Sequence, residues 1–300
     1  MLEFKPISLQ DKDWVTRIVM EENSPSADYN FVNMYIWDKT YKQFLCPFGD
    51  RLLVKLCYED EPIFVYPIGK GPVKPAIAAL KEYADKIGCP LVLEGVTEEH
   101  KEILEREYPE KFIFEEQEDE ADYIYLAQKL STFSGKALHG KKNHCNRFEA
   151  THQWEFVPIS RENIPECLDM LNSWMSDNSQ RLDESISYEQ EAIEEAFSVY
   201  EQLGMEGGIL KSEGKVLGFS LGEMASRECF DVNFEKADPT INGAYPMVCR
   251  ELCRMLMKNH PDLKYINRED DMGLPSLRRS KLSYKPELLL KKYSARWKDE

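Results

Sequence analysis

The chain has 300 residues, 42% of them apolar and 11% aromatic, enough to bury one large or two medium cores. Its formal charge of -16 argues against general nucleic-acid binding, and no stretch approaches the roughly 18 uncharged apolar residues of a membrane span. The cysteines (Cys46, Cys57, Cys89, Cys145, Cys167, Cys229, Cys249 and Cys253) include no Cys-x-x-Cys pair. Neither they nor His139, His144 and His152 fall at metal-ligand spacing. The opening Met1-Leu2-Glu3-Phe4-Lys5 lacks the basic and apolar regions of a secretory signal. These features lead to the expectation of a cytoplasmic chain with reduced core thiols, no metal and no membrane span.

Taken in order, the elements occur twice. Phe4-Lys5-Pro6-Ile7-Ser8 reads as a short strand and a Ser cap before a helix, and Phe156-Val157-Pro158-Ile159-Ser160 repeats the pattern. Polar, aromatic-rich helical sequence follows each opening, at Tyr29 to Tyr41 and at Ser187 to Leu203. Next come strands around tight turns, residues 51–57 and 62–68 in the first copy and 208–211 and 216–221 in the second. A longer helix is predicted at Pro72 to Ile87 and again at Ala244 to Lys258. A buried strand then follows, Pro90 to Glu94 or Leu263 to Asn267, with a further helix and a last strand. Between the copies lie the acidic turn Glu115 to Asp122, a strand Tyr123 to Leu126 and a helix Ser134 to Ala150. The expectation is a mixed α+β fold in two lobes, residues 1–128 and 129–300.

Charge is divided unevenly between these lobes. Residues 1–128 hold 14 Lys and Arg against 26 Asp and Glu, while residues 129–300 hold 24 against 28. Two basic islands, Lys136 to Arg147 and Arg278 to Lys298, could attract a phosphorylated ligand or a tRNA locally.

Two segments carry the candidate chemistry. In the apolar strand from Cys229 to Phe234, alternation puts Asp231, Asn233 and Glu235 on one face, with Lys236 beyond. In Tyr265-Ile266-Asn267-Arg268-Glu269-Asp270-Asp271-Met272-Gly273, a short strand leads into polar side chains, where ligands of α/β proteins usually bind. If that strand runs on to Asp270, Asn267 and Glu269 point one way, and Arg268 and Asp270 the other as an internal ion pair. Arg278, Lys281 and Tyr284 recur at spacing three, one stripe of a helix.

The order of elements resembles the GNAT acyltransferase fold in tandem. More specifically, the chain resembles the bacterial family related to the C-terminal domain of phosphatidylglycerol lysyltransferase, and more distantly the Fem-type aminoacyltransferases. Three segments carry this: Tyr125-Leu126 with Lys141-Lys142-Asn143; Phe234-Glu235-Lys236-Ala237 with Gly243-Ala244-Tyr245; and the run from Tyr265 to Gly273 with Leu277-Arg278, Lys281 and Ser283-Tyr284. The resemblance implies transfer of an acyl group, aminoacyl above all, to an amine or hydroxyl of a small-molecule acceptor. The donor it implies is an acyl-CoA or an aminoacyl-tRNA. Glu235, Glu269 and Tyr284 are the expected catalytic residues; Asn233, Lys236, Tyr245, Asn267, Arg268, Asp270, Arg278 and Lys281 are the expected substrate-binding ones. The stretch where a CoA-using member keeps its Gly-rich phosphate loop is here Asp238 to Tyr245, with a single glycine. The first copy offers only Glu94-Gly95-Val96-Thr97 in place of the charged run, so a single site is expected, in the second lobe. The rival reading is a non-catalytic module of the same fold that binds a small ligand.

Overall fold

The computed structural model describes residues 2–58, 61–178 and 184–298. In chain order its strands begin with β1 (Lys5–Pro6), β2 (Phe44–Phe48), β3 (Arg51–Tyr58), β4 (Glu61–Val65), β5 (Ile68–Gly69), β6 (Val92–Thr97) and β7 (Phe112–Glu116). They continue with β8 (Asp122–Leu126), β9 (Trp154–Pro158), β10 (Glu206–Ser212) and β11 (Lys215–Met224). The last four are β12 (Cys229–Ala237), β13 (Tyr265–Asn267), β14 (Leu288–Leu290) and β15 (Lys292–Trp297).

Local chemistry accounts for many of the boundaries. The helix Lys74–Ile87 starts with a proline in its first turn, buries Ala76, Ile77, Leu80 and Ala84 along one stripe, and ends at Gly88 with φ 77°. The helix Glu98–Glu107 is capped by the Thr97 side chain and carries Glu98 and Glu99 in its first turn. β10 and β11 are joined through Glu213 and Gly214, both at positive φ as a tight hairpin turn requires.

Two compact units result. One comprises Met1–Asp122, Asp270–Leu274 and Leu289–Glu300; the other comprises Tyr123–Glu269 and Pro275–Leu288. The sheet of the first unit has the order β1-β2-β3-β4-β6-β15-β7, with β5 on β3, and the second sheet has the order β14-β8-β13-β12-β11-β10-β9. Both have the GNAT-like arrangement, but the expected strand match is shifted by one: the sheet orders equate β3 with β11 and β4 with β12, not residues 51–57 with 208–211 and 62–68 with 216–221. The expected boundary at residue 128/129 needs a correction. β8 falls in the expected first lobe but pairs with β13 in the second sheet, and β15 falls in the expected second lobe but lies between β6 and β7 in the first. Each sheet thus completes itself with a strand from the other expected lobe, beside a strand edge that would otherwise stand open. A strand's own sequence does not say which sheet it will join.

The feature that positions a site recurs in both sheets. β12 and β13 run parallel and pair only at Cys229↔Tyr265, Phe230↔Ile266 and Asp231↔Asn267. β13 then stops, while β12 continues to Ala237 against β11 alone, so the two strands part as a fork. In the first sheet β4 and β6 pair in parallel at Phe64↔Leu93 and Val65↔Glu94, and β4 stops there. β12 is covered on both faces, as its nearly unbroken burial requires. One cover is the helix Ala244–Asn259, which buries Met247, Val248, Leu252 and Leu256.

Candidate active site

Strand alternation alone misplaces part of the predicted cluster. Leu221 pairs with Phe234 and Glu223 with Asp231, so Val232 and Asn233 together face Gly222. This bulge breaks the alternation that would set Asp231, Asn233 and Glu235 on one face. Only glycine fits opposite it: a Cβ on Gly222 would fall 1.8 Å from the carbonyl oxygen of Asp231. The predicted residues therefore form two groups.

The first group gathers around Glu235. Its Oε1 accepts a 2.7 Å hydrogen bond from Arg268 Nη2, and the two side chains are 8% and 12% exposed. The Arg268 guanidinium lies 4.6 Å from the ring centre of Tyr284 and 5.7 Å from that of Tyr125. Lys141 Nζ sits 3.7 Å from the same Tyr284 ring. Lys281 donates to the backbone carbonyl of Arg268, and the Tyr125 hydroxyl donates to the carbonyl of Lys281 at 2.9 Å. Burial pushes the Glu235 carboxyl above the usual carboxylate range, against the opposing charges of Arg268, Lys281 and Lys141. Burial likewise raises the Tyr284 phenol well above its ordinary value and lowers the Lys141 ammonium, which also feels Arg268. Arg278 is half-buried on the helix Pro275–Ser283, one turn before Lys281.

The second group gathers around Asn233, whose amide nitrogen lies 3.4 Å from both Asp231 Oδ2 and Glu269 Oε1. Asn267 Oδ1 accepts from the Glu269 N–H at 2.7 Å, in a turn where Glu269 has φ 54°. Elsewhere on β12, Lys236 pairs with Glu189 at 2.7 Å and lies 4.4 Å from the ring of Trp174. Tyr245 is half-buried, and burial raises its phenol above the ordinary value.

Three expectations need correction. β13 ends at Asn267 and does not reach Asp270, because the backbone turns left-handed at Glu269. Arg268 pairs with Glu235, not with Asp270. Asp270 belongs to the first unit and accepts the N–H of Met272. Part of the second basic island, expected to attract a phosphorylated ligand, is already neutralised. Lys292 is buried between Asp28 and Asp122, and Lys291 pairs with Glu116. Lys141, not among the expected site residues, stands in an acid-free run and in one of the segments that carry the resemblance.

The helix terminus that would cradle a CoA pyrophosphate is closed. Gly243, the N-cap of the helix Ala244–Asn259, has φ 96°, and a Cβ there would meet the His144 carbonyl oxygen at 2.7 Å. The helix His139–Thr151 thus packs against this terminus, and His144 Nδ1 lies 2.6 Å from Asn242 Oδ1. Of the first helical N–H groups, that of Ala244 is engaged by the Ile241 carbonyl and Pro246 has none. An anion arriving here would find few free donors and a carbonyl oxygen.

The fork of the first unit is filled in another way. Tyr66 follows β4 directly, donates its N–H to the Glu94 carbonyl and stacks on His100 at 3.9 Å. His100 Nδ1 lies 2.9 Å from the Tyr29 hydroxyl, which reaches the Gly95 carbonyl at 2.6 Å, and His100 Nε2 lies 3.0 Å from Glu22. Tyr29, Tyr66 and His100 are all buried.

Residues 21–296 match the family model described as phosphatidylglycerol lysyltransferase, C-terminal. A conserved protein of unknown function from Bacteroides thetaiotaomicron is 37% identical, with a TM-score of 0.95 over 99% of this chain and 100% of that one. The C-terminal domain of a putative lysylphosphatidylglycerol synthetase from Agrobacterium fabrum superposes with a TM-score of 0.68 at 13% identity, over 96% of this chain and 92% of that one. FemX does so with 0.65 at 12%, over 97% and 96%; at these identities the likeness is one of fold. An uncharacterized protein of Mycoplasmoides gallisepticum is 28% identical over 59% of this chain, and the match spans only 56% of that relative's length. No helix among the described residues is long and apolar enough to cross a membrane. This chain belongs to the family of phosphatidylglycerol lysyltransferase C-terminal domains.

Proposed function

We propose that the second unit transfers an aminoacyl group from an aminoacyl-tRNA to an amine or hydroxyl of a small acceptor. One contrast carries the reading: the helix terminus that would hold a CoA pyrophosphate is closed at Gly243 and Pro246, while the fork beside it holds a buried carboxylate among cations. Family membership supports the same class of reaction, since the family takes its name from a lysyl transfer.

In this mechanism Glu235 is the general base. Burial holds its carboxyl above the usual range, which brings it nearer to the operating pH of a catalytic base. The acceptor nitrogen or oxygen attacks the ester carbonyl as its proton passes to Glu235. The carbon–oxygen bond to the ribose then breaks, and the leaving oxygen takes that proton back. Tyr284, whose phenol stays protonated, offers a hydrogen-bond donor to the developing oxyanion. Asn233 and Glu269 are the proposed recognition groups for an amine-bearing acceptor, with Asp231 beside them. Arg268 holds Glu235 in place; Lys236, Tyr245, Asn267, Arg278 and Asp270 are left as supporting or peripheral positions.

The test compares thermal stabilisation of the full chain by charged tRNA, uncharged tRNA, acetyl-CoA and longer acyl-CoAs. Selective stabilisation by charged tRNA is expected. Stabilisation by a CoA alone would overturn the donor assignment, and silence from all four would favour a binding module for another ligand.

A further inference from the structure

The first sheet leaves a cleft at its outer edge. β1 pairs with β2 only at Lys5↔Leu45 and Pro6↔Phe44, while β2 runs on to Phe48. Pro47 has no N–H to offer a further strand, so this edge resists strand addition. Beside it, the helices Lys12–Glu22 and Lys74–Ile87 border a space of about 890 Å³, within the range of small-ligand sites. Its lining belongs wholly to the first unit and includes no residue of either fork. The half-buried rings of Trp14, Phe48 and Tyr83 line it, together with the buried Leu45 and Cys46. Two of these rings are held in place. The Trp14 indole N–H donates to Asp11 Oδ1 at 3.0 Å. Tyr83 packs on Phe4 and Phe64 at 4.9 and 6.1 Å, and its hydroxyl accepts from Lys55 Nζ at 3.4 Å. The apolar walls are therefore preformed for a flat body.

The charges around the cleft balance. Asp11 is spent, because its other oxygen accepts from the Ser8 N–H at 2.9 Å and the Ser8 hydroxyl at 2.8 Å. Two acids and two cations remain. Glu3 and Lys5 lie 3.6 Å apart and are 80% and 73% exposed; Glu82 and Lys86 stand one turn apart on one helix, both exposed. A ligand of a single charge meets a like charge in each pair, whereas one that bears both signs is matched. Exposed ion pairs contribute little, so a ligand's own charges replace them at small cost.

We propose that this cleft binds an aromatic zwitterion, an aromatic amino acid either free or in a short peptide. Its ring lies among Trp14, Phe48 and Tyr83, where stacking adds to the buried area. Its ammonium faces Glu82 and its carboxylate faces Lys86. This goes beyond the transfer reading and does not depend on it.

Calorimetric titration of the full chain with three molecules of similar shape tests the site. L-tryptophan carries both charges, tryptamine the cation alone and indole-3-propionate the anion alone. We expect tryptophan to bind at least about tenfold more tightly than either analogue. Glu82→Gln should weaken tryptophan and tryptamine roughly threefold to tenfold and leave indole-3-propionate unchanged. Lys86→Gln should weaken tryptophan and indole-3-propionate instead. Both positions are exposed on a helix, and a melting curve checks that the variants fold. The tighter of free tryptophan and alanyl-tryptophan identifies the source. An analogue of one charge that binds as tightly as tryptophan overturns the proposal, as does a lack of binding by all probes. Tryptophan binding that is lost in Glu269→Gln and intact in Glu82→Gln would move the ligand to the second unit and also overturn it. None of these titrations reads turnover, so the transfer reading stands or falls separately.

Discussion

The two forks have the same backbone origin and opposite contents. In the first unit, aromatic rings and a Tyr29–His100–Glu22 chain of hydrogen bonds fill the opening beyond Val65 and Glu94. In the second, the opening beyond Asp231 and Asn267 is bridged by Glu235 and Arg268, with further cations around them. A filled fork is a core and offers no room for a reacting group. A charged fork is costly to bury and gains stability when an opposite charge arrives. On the proposed reading, duplication gives one copy that contributes stability and one that carries the reaction, and a handful of side chains does the sorting.

The largest effect is expected where the second fork loses its base. Glu235→Gln should lower the transfer rate by about 10²- to 10⁴-fold, in a chain whose circular dichroism is unchanged. A rate within twofold of wild type would remove Glu235 from the mechanism.

The first unit should be most sensitive at Lys292, which β15 carries to Asp28 and Asp122 at 2.9 and 2.8 Å. Burial alone would lower this ammonium, but the two aspartates hold it well above its ordinary value. Lys292→Met leaves the buried Asp122 and the part-exposed Asp28 without their cation and should cost about 3–5 kcal/mol in urea unfolding. A loss below about 1 kcal/mol would show that the exchanged strand does not need this lysine.

A smaller change, about 1–3 kcal/mol, is expected for His100→Gln, which interrupts the chain between Tyr29 and Glu22. Its transfer rate per folded molecule should match that of wild type. A fall in that rate with stability intact would mean that the first fork takes part in the reaction.

The smallest effect is one of pH. Burial alone would raise the Glu22 carboxyl, but the His100 hydrogen bond and charge and the Gly69 N–H outweigh it and hold the carboxyl below its ordinary value of 4.5. The folded state therefore binds this proton less readily than the unfolded one. The stability it contributes is complete above about pH 4.5 and is lost as pH falls through the lowered value. Melting temperatures measured from pH 7 down to 3 should decline less steeply in Glu22→Gln than in wild type; parallel curves would contradict the assignment.

Much of this architecture is legible in the sequence because it rests on local signals. The matched openings at Phe4 and Phe156, the Glu213-Gly214 turn and the stripe of Lys74–Ile87 each report an element directly. The polar run after Ile266 points to the end of β13, and Glu235 and Arg268 meet there. What is hidden depends on partners distant in the chain. The bulge at Val232 and Asn233 is set by register against Gly222, so the sequence of β12 alone suggests unbroken alternation. Lys141 sits on a weakly amphipathic helix, and its role follows from Tyr284, which only the fold brings to it. The placement of β8 and β15 cannot be read from either strand, since which sheet a strand joins is set by partners distant in the chain. His100 and Glu22 lie on separate helices and become partners only through packing.

The most direct test of the account is a single-turnover assay of the full chain with tRNA carrying a labelled amino acid, set against a panel of amine and hydroxyl acceptors. We expect label to leave the tRNA and appear on an acceptor with wild type, not to do so with Glu235→Gln, and acetyl-CoA to yield no product. Transfer of acetyl from CoA by wild type, with the labelled aminoacyl group left on its tRNA, would contradict it.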